Sequence, residues 1–349
     1  MTLLLGLWWS SLLLAGIALG WMAGLIVARL LRDRRDKRRR LDRQALSTAC
    51  LAIMAGATDA AERLRPFEHR SRLLAETLLE VLGLVRGAER DRLIASLVEA
   101  GVDQRLRSRL TRGSRIGRLA AVEALSAFPS ADTRSELRRL QQSSRDAEIR
   151  IEIIRTRIDI GDPPRARDIL VELAGRPDRD SLLYAPVLRR LAIDDPDDAL
   201  GALAMPDQTG PARAIMIEAL GASGDYRVLP AVSQRAADPD PVVRMAALRA
   251  LGALAHPASA DTVAQALSDP AWEVRAEAAV AGGRIGTPGL TAKLVALLDD
   301  PVWWVRFRAA DALARMGAGG VDALRIATTS PVDVARRSAA LALAERGLA

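Results

Sequence analysis

Apolar residues in the second half of the chain recur at helical spacing, in blocks that repeat every 31 residues. After Asp238-Pro239, apolar side chains fall on one face of a predicted helix, at Val243, Ala247, Ala250, Leu251 and Leu254. Similar blocks follow Asp269-Pro270 and Asp300-Pro301, and shorter apolar segments precede the three Asp-Pro pairs at 228–236, 262–267 and 290–298. The pattern therefore predicts antiparallel helix pairs. One such pair cannot bury its apolar face alone, so the pairs are expected to stack on one another.

Each block also carries a fixed set of polar residues. Proline fits the first turn of a helix, and an aspartate before it can accept hydrogen bonds from free backbone N–H groups there. Each Asp-Pro is therefore predicted to open a helix. Six residues after each aspartate stands an arginine, preceded by valine: Arg244, Arg275 and Arg306. Small residues follow, as at Ala246-Ala247, and small side chains let neighbouring helices approach closely.

The Asp, the Val-Arg and the following Ala-Ala…Leu-Gly resemble the HEAT-repeat family, including its lyase-type members. The resemblance is strongest from Pro211 onward, and it implies an all-α fold: a HEAT-like α-solenoid, a superhelix of antiparallel helix pairs. In that family the aspartates and arginines of successive repeats form a hydrogen-bonded ladder. The resemblance thus implies structural pairing of Asp238, Asp269 and Asp300 with Arg244, Arg275 and Arg306, in their own or adjacent repeats.

Weaker copies of the pattern extend the repeats toward the N-terminus. We expect HEAT-like repeats over residues 116–349, and irregular helical hairpins that cap the solenoid over residues 44–115. Residues 150–200 match the pattern least. Two interpretations of that region remain open: longer turns, or a segment shaped for a partner.

Residues 1–28 contain no charged side chain. This uncharged segment is longer than the roughly 20 residues that a helix needs to cross a bilayer. Trp8, Trp9 and Trp21 stand near its ends, as interfacial anchors would. A cleaved signal peptide is the rival interpretation. It would carry basic residues before the apolar run, whereas here the basic residues follow it. The sequence therefore favours a retained transmembrane signal-anchor helix.

Nine basic and three acidic residues at 29–43 supply +6 of the chain's net charge of +7. A basic flank stays on the cytoplasmic side, so we expect a bacterial inner-membrane protein with its N-terminus outside and its repeats in the cytoplasm. The same segment is expected to attract anionic lipid headgroups. The remaining +1 leaves nucleic-acid binding without support from net charge. A local basic patch at Arg105, Arg107, Arg109, Arg112 and Arg115 keeps that alternative open.

Gly16, Gly20 and Gly24 are four residues apart, on one face of the predicted membrane helix. Such spacing permits close packing against another membrane helix, either a second copy in a homodimer or another membrane protein. The alternative is that glycine is simply common in membrane helices.

The chain is poor in residues that carry chemistry. It has one cysteine and two histidines, without metal-ligand spacing, and no phosphate-binding or nucleophile motif. We therefore expect no catalytic, metal or cofactor site, and a non-enzymatic protein. Cys50 stands among apolar residues and is expected to pack in a core.

Trp272, Trp303 and Trp304 are the strongest candidates for a partner-binding surface. Each follows an Asp-Pro, and Trp272 and Trp303 are 31 residues apart, in equivalent positions. Exposed aromatic residues are typical binding hot spots. The alternative is that they fill the space between repeats together with Phe307.

Together these features predict a membrane-anchored, non-catalytic scaffold or regulatory subunit that binds another membrane protein or complex. Bacterial membrane-anchored proteins of similar outline, some found beside membrane glycosyltransferases, suggest a partner in envelope polysaccharide synthesis or export. The alternatives are a lyase-type enzyme, which would need a convergent polar pocket, and a nucleic-acid-binding solenoid, which would need a continuous basic stripe.

Overall fold

The computed structural model describes the backbone of residues 2–55, 57, 59–67, 71–174, 178–206 and 210–348. Within helices it does not describe the side chains of 2–15, 17–19, 23, 31–33, 35, 36, 39, 60, 61, 71, 72, 174 and 178–181. The described backbone forms twenty α-helices and six short 3-10 turns, and it contains no strand. It divides into an N-terminal unit, residues 1–144 with 159–161, and a C-terminal unit, residues 145–158 with 162–349.

The N-terminal unit begins with one 53-residue helix, α1. Its helices are α1 (Thr2–Met54), α2 (Ala60–Leu64), α3 (Ser71–Leu84), α4 (Ala88–Glu99), α5 (Val102–Arg109), α6 (Arg115–Ala124) and α7 (Ala131–Ser143). The last turns of α1 pack against α3 and α4, and they bury Leu46, Cys50 and Ile53. Arg43, one turn earlier, reaches Glu76 on α3 at 3.4 Å. Helix α1 therefore continues without a break from the basic segment, residues 29–43, to the buried residues at its C-terminal end.

Most side chains of the predicted membrane span, residues 1–28, lie outside the described part of the structure. Within the described residues, no helix combines the length and the apolar character needed to cross a bilayer. The described apolar side chains near the end of that span are exposed, Trp21 to 73% and Ile26 to 54%.

Cys50 provides a direct test of packing in the N-terminal unit, because it is the chain's single cysteine. Its thiol is fully buried, and this burial raises the pKa of Cys50 to about 11. Since the thiolate is the reactive form, the raised pKa alone lowers reactivity about 100-fold near pH 8. We expect Cys50 in the folded protein to react with an aromatic disulfide reagent only at the rate of unfolding. Reaction should be complete within mixing time in concentrated urea.

The control for this measurement places the thiol on the exposed side of the same helix. Thr48 is exposed, so a Cys50→Ser/Thr48→Cys variant should react rapidly while folded. Equal native rates for the wild type and this variant would contradict the packing of α1 described above.

The C-terminal unit confirms the predicted stack of helix pairs. Its helices are α8 (Ala147–Asp159), α9 (Ala166–Ala174), α10 (Asp178–Asp194), α11 (Pro196–Leu203), α12 (Gly210–Gly221), α13 (Leu229–Arg235), α14 (Pro241–Leu254), α15 (Ala260–Ala266), α16 (Trp272–Ile285), α17 (Thr291–Ala296), α18 (Trp303–Arg315), α19 (Ala318–Ala327) and α20 (Asp333–Glu345). The longer helices α12, α14, α16, α18 and α20 pack side by side in chain order, and each of the shorter helices α13, α15, α17 and α19 packs on the longer helix that follows it.

The Asp-Pro pairs do not open helices as predicted. Helices α14, α16 and α18 begin three residues after the aspartates, and the N-cap residues are Asp240, Ala271 and Val302. Each aspartate instead closes a turn, because its Oδ1 accepts the backbone N–H two residues later: Asp269 from Ala271 at 2.9 Å, for example. The turn uses only Oδ1 of each aspartate, so Oδ2 can accept a hydrogen bond from a second partner.

Candidate functional site

The predicted ladder residues come together in the C-terminal unit, where Arg244 and Arg275 each bridge two repeats. Nη1 of Arg275 donates to the backbone oxygens of Asp269 and Pro270 in its own repeat, at 2.8 and 3.2 Å. Nε and Nη2 of the same side chain donate to the carboxylate of Asp300 in the next repeat, at 2.7 and 3.1 Å. The hydrogen bond to Asp300 raises the pKa of Arg275 above its ordinary value. Arg275 thus pairs with the carboxylate of the adjacent repeat and not with that of its own repeat. This is one of the two arrangements that the sequence left open.

Arg244 repeats this geometry one step earlier in the chain. Its Nη1 donates to the oxygen of Asp238 at 2.9 Å, and its Nε and Nη2 donate to Asp269 at 2.8 and 2.9 Å. The ladder predicted from sequence omits Arg213, yet Nη1 of Arg213 donates to the carboxylate of Asp238 at 3.0 Å. Arg213 stands 31 residues before Arg244, and that spacing is the signal that would have found it.

A buried polar cluster in the irregular region contains Arg150, Glu172 and Tyr184. The side chain of Arg150 is fully buried, and its Nε lies 2.7 Å from Glu172 Oε1 and 2.8 Å from the Tyr184 hydroxyl. Tyr184 in turn donates to Glu172 at 3.0 Å. Burial raises the pKa of Tyr184 to about 12, so the hydroxyl keeps its proton at neutral pH. These contacts join the three side chains to one another in the interior, which indicates a structural role in residues 150–200.

The three candidate tryptophans are exposed on the C-terminal unit. Trp272 is 38% exposed, and Trp303 and Trp304 are each 49% exposed. Trp303 stacks on Phe307 with ring centroids 5.3 Å apart, and it meets Trp304 edge-on at 4.7 Å. Among the described rings, Trp272 makes no contact with these three. We call Trp303, Trp304 and Phe307 the aromatic cluster; its role in partner binding stays a prediction.

A groove between α18 and α20 adjoins the aromatic cluster. The groove is narrow and partly open to solvent, and Trp303, Phe307 and Leu341 form its apolar wall. At one end, Asp311 accepts hydrogen bonds from Arg315 at 2.9 Å and from Arg346. Burial opposes ionisation of Asp311, but these two bonds prevail and lower its pKa. The repeat pattern does not predict this ion-paired end, because Arg346 lies 35 residues from Asp311 and outside the 31-residue period.

The basic patch of the nucleic-acid alternative lies in the N-terminal unit, where acidic side chains interrupt it. Arg107 pairs with Asp103 and Asp132, each at 3.2 Å. Glu136 and Arg139 form a further pair on the same open cleft. Because these carboxylates alternate with the arginines, the cleft is not the continuous basic stripe that this alternative needs.

The remaining candidates have simpler surroundings. Gly16, Gly20 and Gly24 lie on α1 with open space around them: a Cβ added at any of the three would meet nothing within 4 Å. Their role in helix packing stays a prediction. His256 accepts the N–H of Ala258 at 3.1 Å, which makes it a turn residue, and His69 lies outside the described residues. No group of metal-ligating side chains is present within the described ranges.

Comparison with known proteins agrees with this architecture. The sequence matches the family model for HEAT repeats over residues 104–189, 198–279 and 260–344. A comparison with curated proteins found no match.

Among solved structures, the chain is similar to an engineered protein at 19% identity, over 88% of this chain and 95% of that one, with a TM-score of 0.32. It is similar to Kap121p at 15% identity and a TM-score of 0.32, over 86% of its own length and 45% of that chain. It is also similar to human deoxyhypusine hydroxylase in complex with glycerol, at 16% identity and a TM-score of 0.30, over 80% of this chain and 98% of that one. Scores this low carry no information about function. Since the family model covers well over half of the sequence and the structure shows the stacked helix pairs, the chain belongs to the HEAT-repeat family.

Proposed function

We propose that this HEAT-repeat solenoid is a membrane-anchored, non-catalytic scaffold or regulatory subunit that binds another membrane protein through its C-terminal repeats. HEAT-repeat solenoids typically serve as scaffolds for protein–protein interaction. The observation that carries the proposal for this chain is the aromatic cluster. Two large side chains, Trp303 and Trp304, remain half exposed beside the groove between α18 and α20. Exposed tryptophans beside an apolar groove are typical of interaction hot spots.

The membrane anchor rests on the N-terminal sequence. Residues 1–28 carry no charge and residues 29–43 carry +6. That order is typical of an anchor whose basic flank stays cytoplasmic beside anionic headgroups. In the proposal the repeats therefore face the cytoplasm of a bacterial cell, and α1 carries the anchor directly into the N-terminal unit. Gly16, Gly20 and Gly24 offer a second contact, with another copy or with the partner's membrane helix.

The partner class is a membrane complex of the cell envelope, such as a polysaccharide glycosyltransferase or export assembly. This choice rests on the outline of anchor and repeats rather than on any single residue. The capture experiment below tests it, because a partner solubilised from the membrane can be identified directly.

The test is capture of partners by the full-length protein from membranes solubilised in mild detergent. We expect a stoichiometric membrane partner that a Trp272→Ala/Trp303→Ala variant loses at least tenfold, since each hot-spot truncation commonly costs more than about 1 kcal/mol. Tyr226→Ala provides the matched control: Tyr226 is an aromatic residue, 56% exposed, outside the aromatic cluster, and its removal should leave recovery unchanged.

The other outcomes of the capture experiment are equally informative. A partner kept by the tryptophan variant but lost when Gly16, Gly20 and Gly24 become leucine would place recognition in the bilayer. Equal losses in the tryptophan and Tyr226→Ala variants would show that no specific surface is involved. If no stoichiometric partner is recovered from any membrane fraction, the scaffold proposal is wrong.

A further inference from the structure

The Asp–Arg ladder is incomplete at its C-terminal end. Ser330 occupies the position where the three preceding repeats have Asp238, Asp269 and Asp300. Ser330 keeps the aspartate's role in the turn, because its hydroxyl accepts the N–H of Val332 at 3.2 Å. It has no carboxylate, however, and so it cannot supply the ion pair that the other repeats form with the preceding arginine.

Arg306 is the arginine left without that carboxylate. Its Nη1 donates to the oxygens of Asp300 and Pro301 at 2.8 and 3.1 Å, as Arg275 does in its own repeat. We infer from these two bonds, which match those of Arg275, that the Nε–Nη2 edge of Arg306 is directed toward the next repeat. Nε is covered by protein atoms, so a carboxylate reaches it only once those atoms move aside, and it has no hydrogen-bond partner in the described part of the chain. On Arg275, the same edge holds both oxygens of Asp300.

We propose that the Nε–Nη2 edge of Arg306, beside Ser330, is a receptor for a carboxylate that the bound partner protein supplies from an acidic side chain. A guanidinium already held by two backbone oxygens loses little freedom on accepting a carboxylate, and such paired bonds are strong and directional. An uncompensated buried N–H also makes the unoccupied state unfavourable, so that binding gains from satisfying it.

The surroundings of this edge explain why the carboxylate belongs to a protein partner. Arg306 lies between Trp303 and Phe307 on the first turns of α18, next to the aromatic cluster. Pro331 and Val332, which follow Ser330 in the chain, are exposed. A partner that packs an apolar side chain on the aromatic cluster can therefore bring a neighbouring Asp or Glu to Arg306. This inference rests on the proposed function and adds a chemical requirement: an acidic residue next to an apolar anchor.

The first arm of the test measures the receptor without a partner. The full-length protein in mild detergent is titrated with sodium formate, a one-carbon carboxylate, against sodium chloride at equal ionic strength. We expect formate to raise the thermal unfolding midpoint, followed by tryptophan fluorescence, by about 2 °C more than chloride does. The formate-specific rise should vanish in Ser330→Asp, whose own carboxylate fills the edge of Arg306.

The second arm repeats the membrane capture with the same variant. Ser330→Asp should fold with a higher unfolding midpoint than the wild type and yet recover at least tenfold less partner. Ser330→Ala, which leaves Arg306 open, should recover the wild-type amount. This combination separates loss of the receptor from loss of folding, because the variant that fails to bind is the more stable one.

Each result decides a separate point. Equal partner recovery by the wild type and Ser330→Asp overturns the proposal that Arg306 is a carboxylate receptor. If Trp272→Ala/Trp303→Ala still loses the partner in that case, the proposed scaffold function stands. Loss of the partner in both Ser330→Ala and Ser330→Asp also overturns the receptor proposal, since residue 330 then has only a structural role. Absence of any formate-specific effect overturns the receptor even if a partner is found. Formate protection without a partner sensitive to Ser330→Asp overturns the assignment to a protein carboxylate and indicates a site for free anions.

Discussion

Replacing Asp300 with alanine is expected to lower the free energy of unfolding of the C-terminal unit by about 3 kcal/mol, the scale on which removal of one partner disrupts a buried ion pair. Asp300 accepts three hydrogen bonds: two from Arg275, at 2.7 and 3.1 Å, and one from the N–H of Val302 at 2.9 Å. Its side chain is only 5% exposed, and that of Arg275 only 15%. Alanine removes all three bonds and leaves half of a largely buried guanidinium without an acceptor.

The measurement is urea-induced unfolding of the full-length protein, followed by tryptophan fluorescence, to which Trp272, Trp303 and Trp304 contribute from the C-terminal unit. Asp322→Ala is the matched control: Asp322 also pairs with an arginine, Arg325, at 3.1 Å, but it is 65% exposed and should lose less than about 0.5 kcal/mol. Asp300→Asn should fall between the two, because an amide oxygen can still accept the N–H of Val302. Equal losses for Asp300→Ala and Asp322→Ala would show that the ladder contributes nothing beyond a surface ion pair.

Replacing Gly221 with alanine is expected to destabilise the C-terminal unit by about 2 kcal/mol through overpacking. A Cβ at this position would lie 2.5 Å from both Cα and Cβ of Ala250 on the neighbouring helix α14. No ordinary contact between carbon atoms is that short, and part of the obstacle is backbone, which cannot rotate away. The helices would have to separate, and separation weakens the packing of the stack around them.

Gly252 and Gly283 extend this prediction into a graded series, since each occupies the same place one or two repeats later. Their added Cβ atoms would lie 3.0 Å from Ala281 and 2.7 Å from Ala312, respectively. The expected order of destabilisation is therefore Gly221→Ala, then Gly283→Ala, then Gly252→Ala, measured by urea unfolding. Gly201→Ala on α11 is the control: its Cβ meets nothing within 4 Å, so helix propensity should make it stabilising by up to about 1 kcal/mol. A destabilising Gly201→Ala, or the reverse order within the series, would contradict close helix approach as the cause.

The repeat itself could be predicted from sequence because its signals are local. Apolar residues at helical spacing and a 31-residue period indicate stacked helix pairs without knowledge of any contact. The short helices predicted at 228–236, 262–267 and 290–298 correspond to α13, α15 and α17. The first residue of each observed helix lies within two positions of the predicted start. Helix starts after the Asp-Pro pairs were less predictable, because an aspartate can cap a helix or close a turn with the same carboxylate oxygen.

Exposure of the aromatic residues could not be predicted from sequence. Trp303 and Phe307 are spaced as a buried helical pair would be, yet in the structure they stack on each other at the edge of a groove and Trp303 remains half exposed. Whether a large side chain at the start of a helix is covered depends on how closely the next repeat approaches. That distance is a property of the packed stack.

By itself, the sequence determined the class of fold, the period of the repeats, and the concentration of positive charge between an uncharged segment and the repeats, since all three follow from composition and spacing along the chain. Only the tertiary structure decided that Arg244 and Arg275 each bind the carboxylate of the next repeat, that Gly221, Gly252 and Gly283 lie against facing alanines, and that Arg306 has no such carboxylate among the described residues. The physical reason is that these contacts join residues about 25 to 30 positions apart, and the distance between them is set by the helices that pack around them.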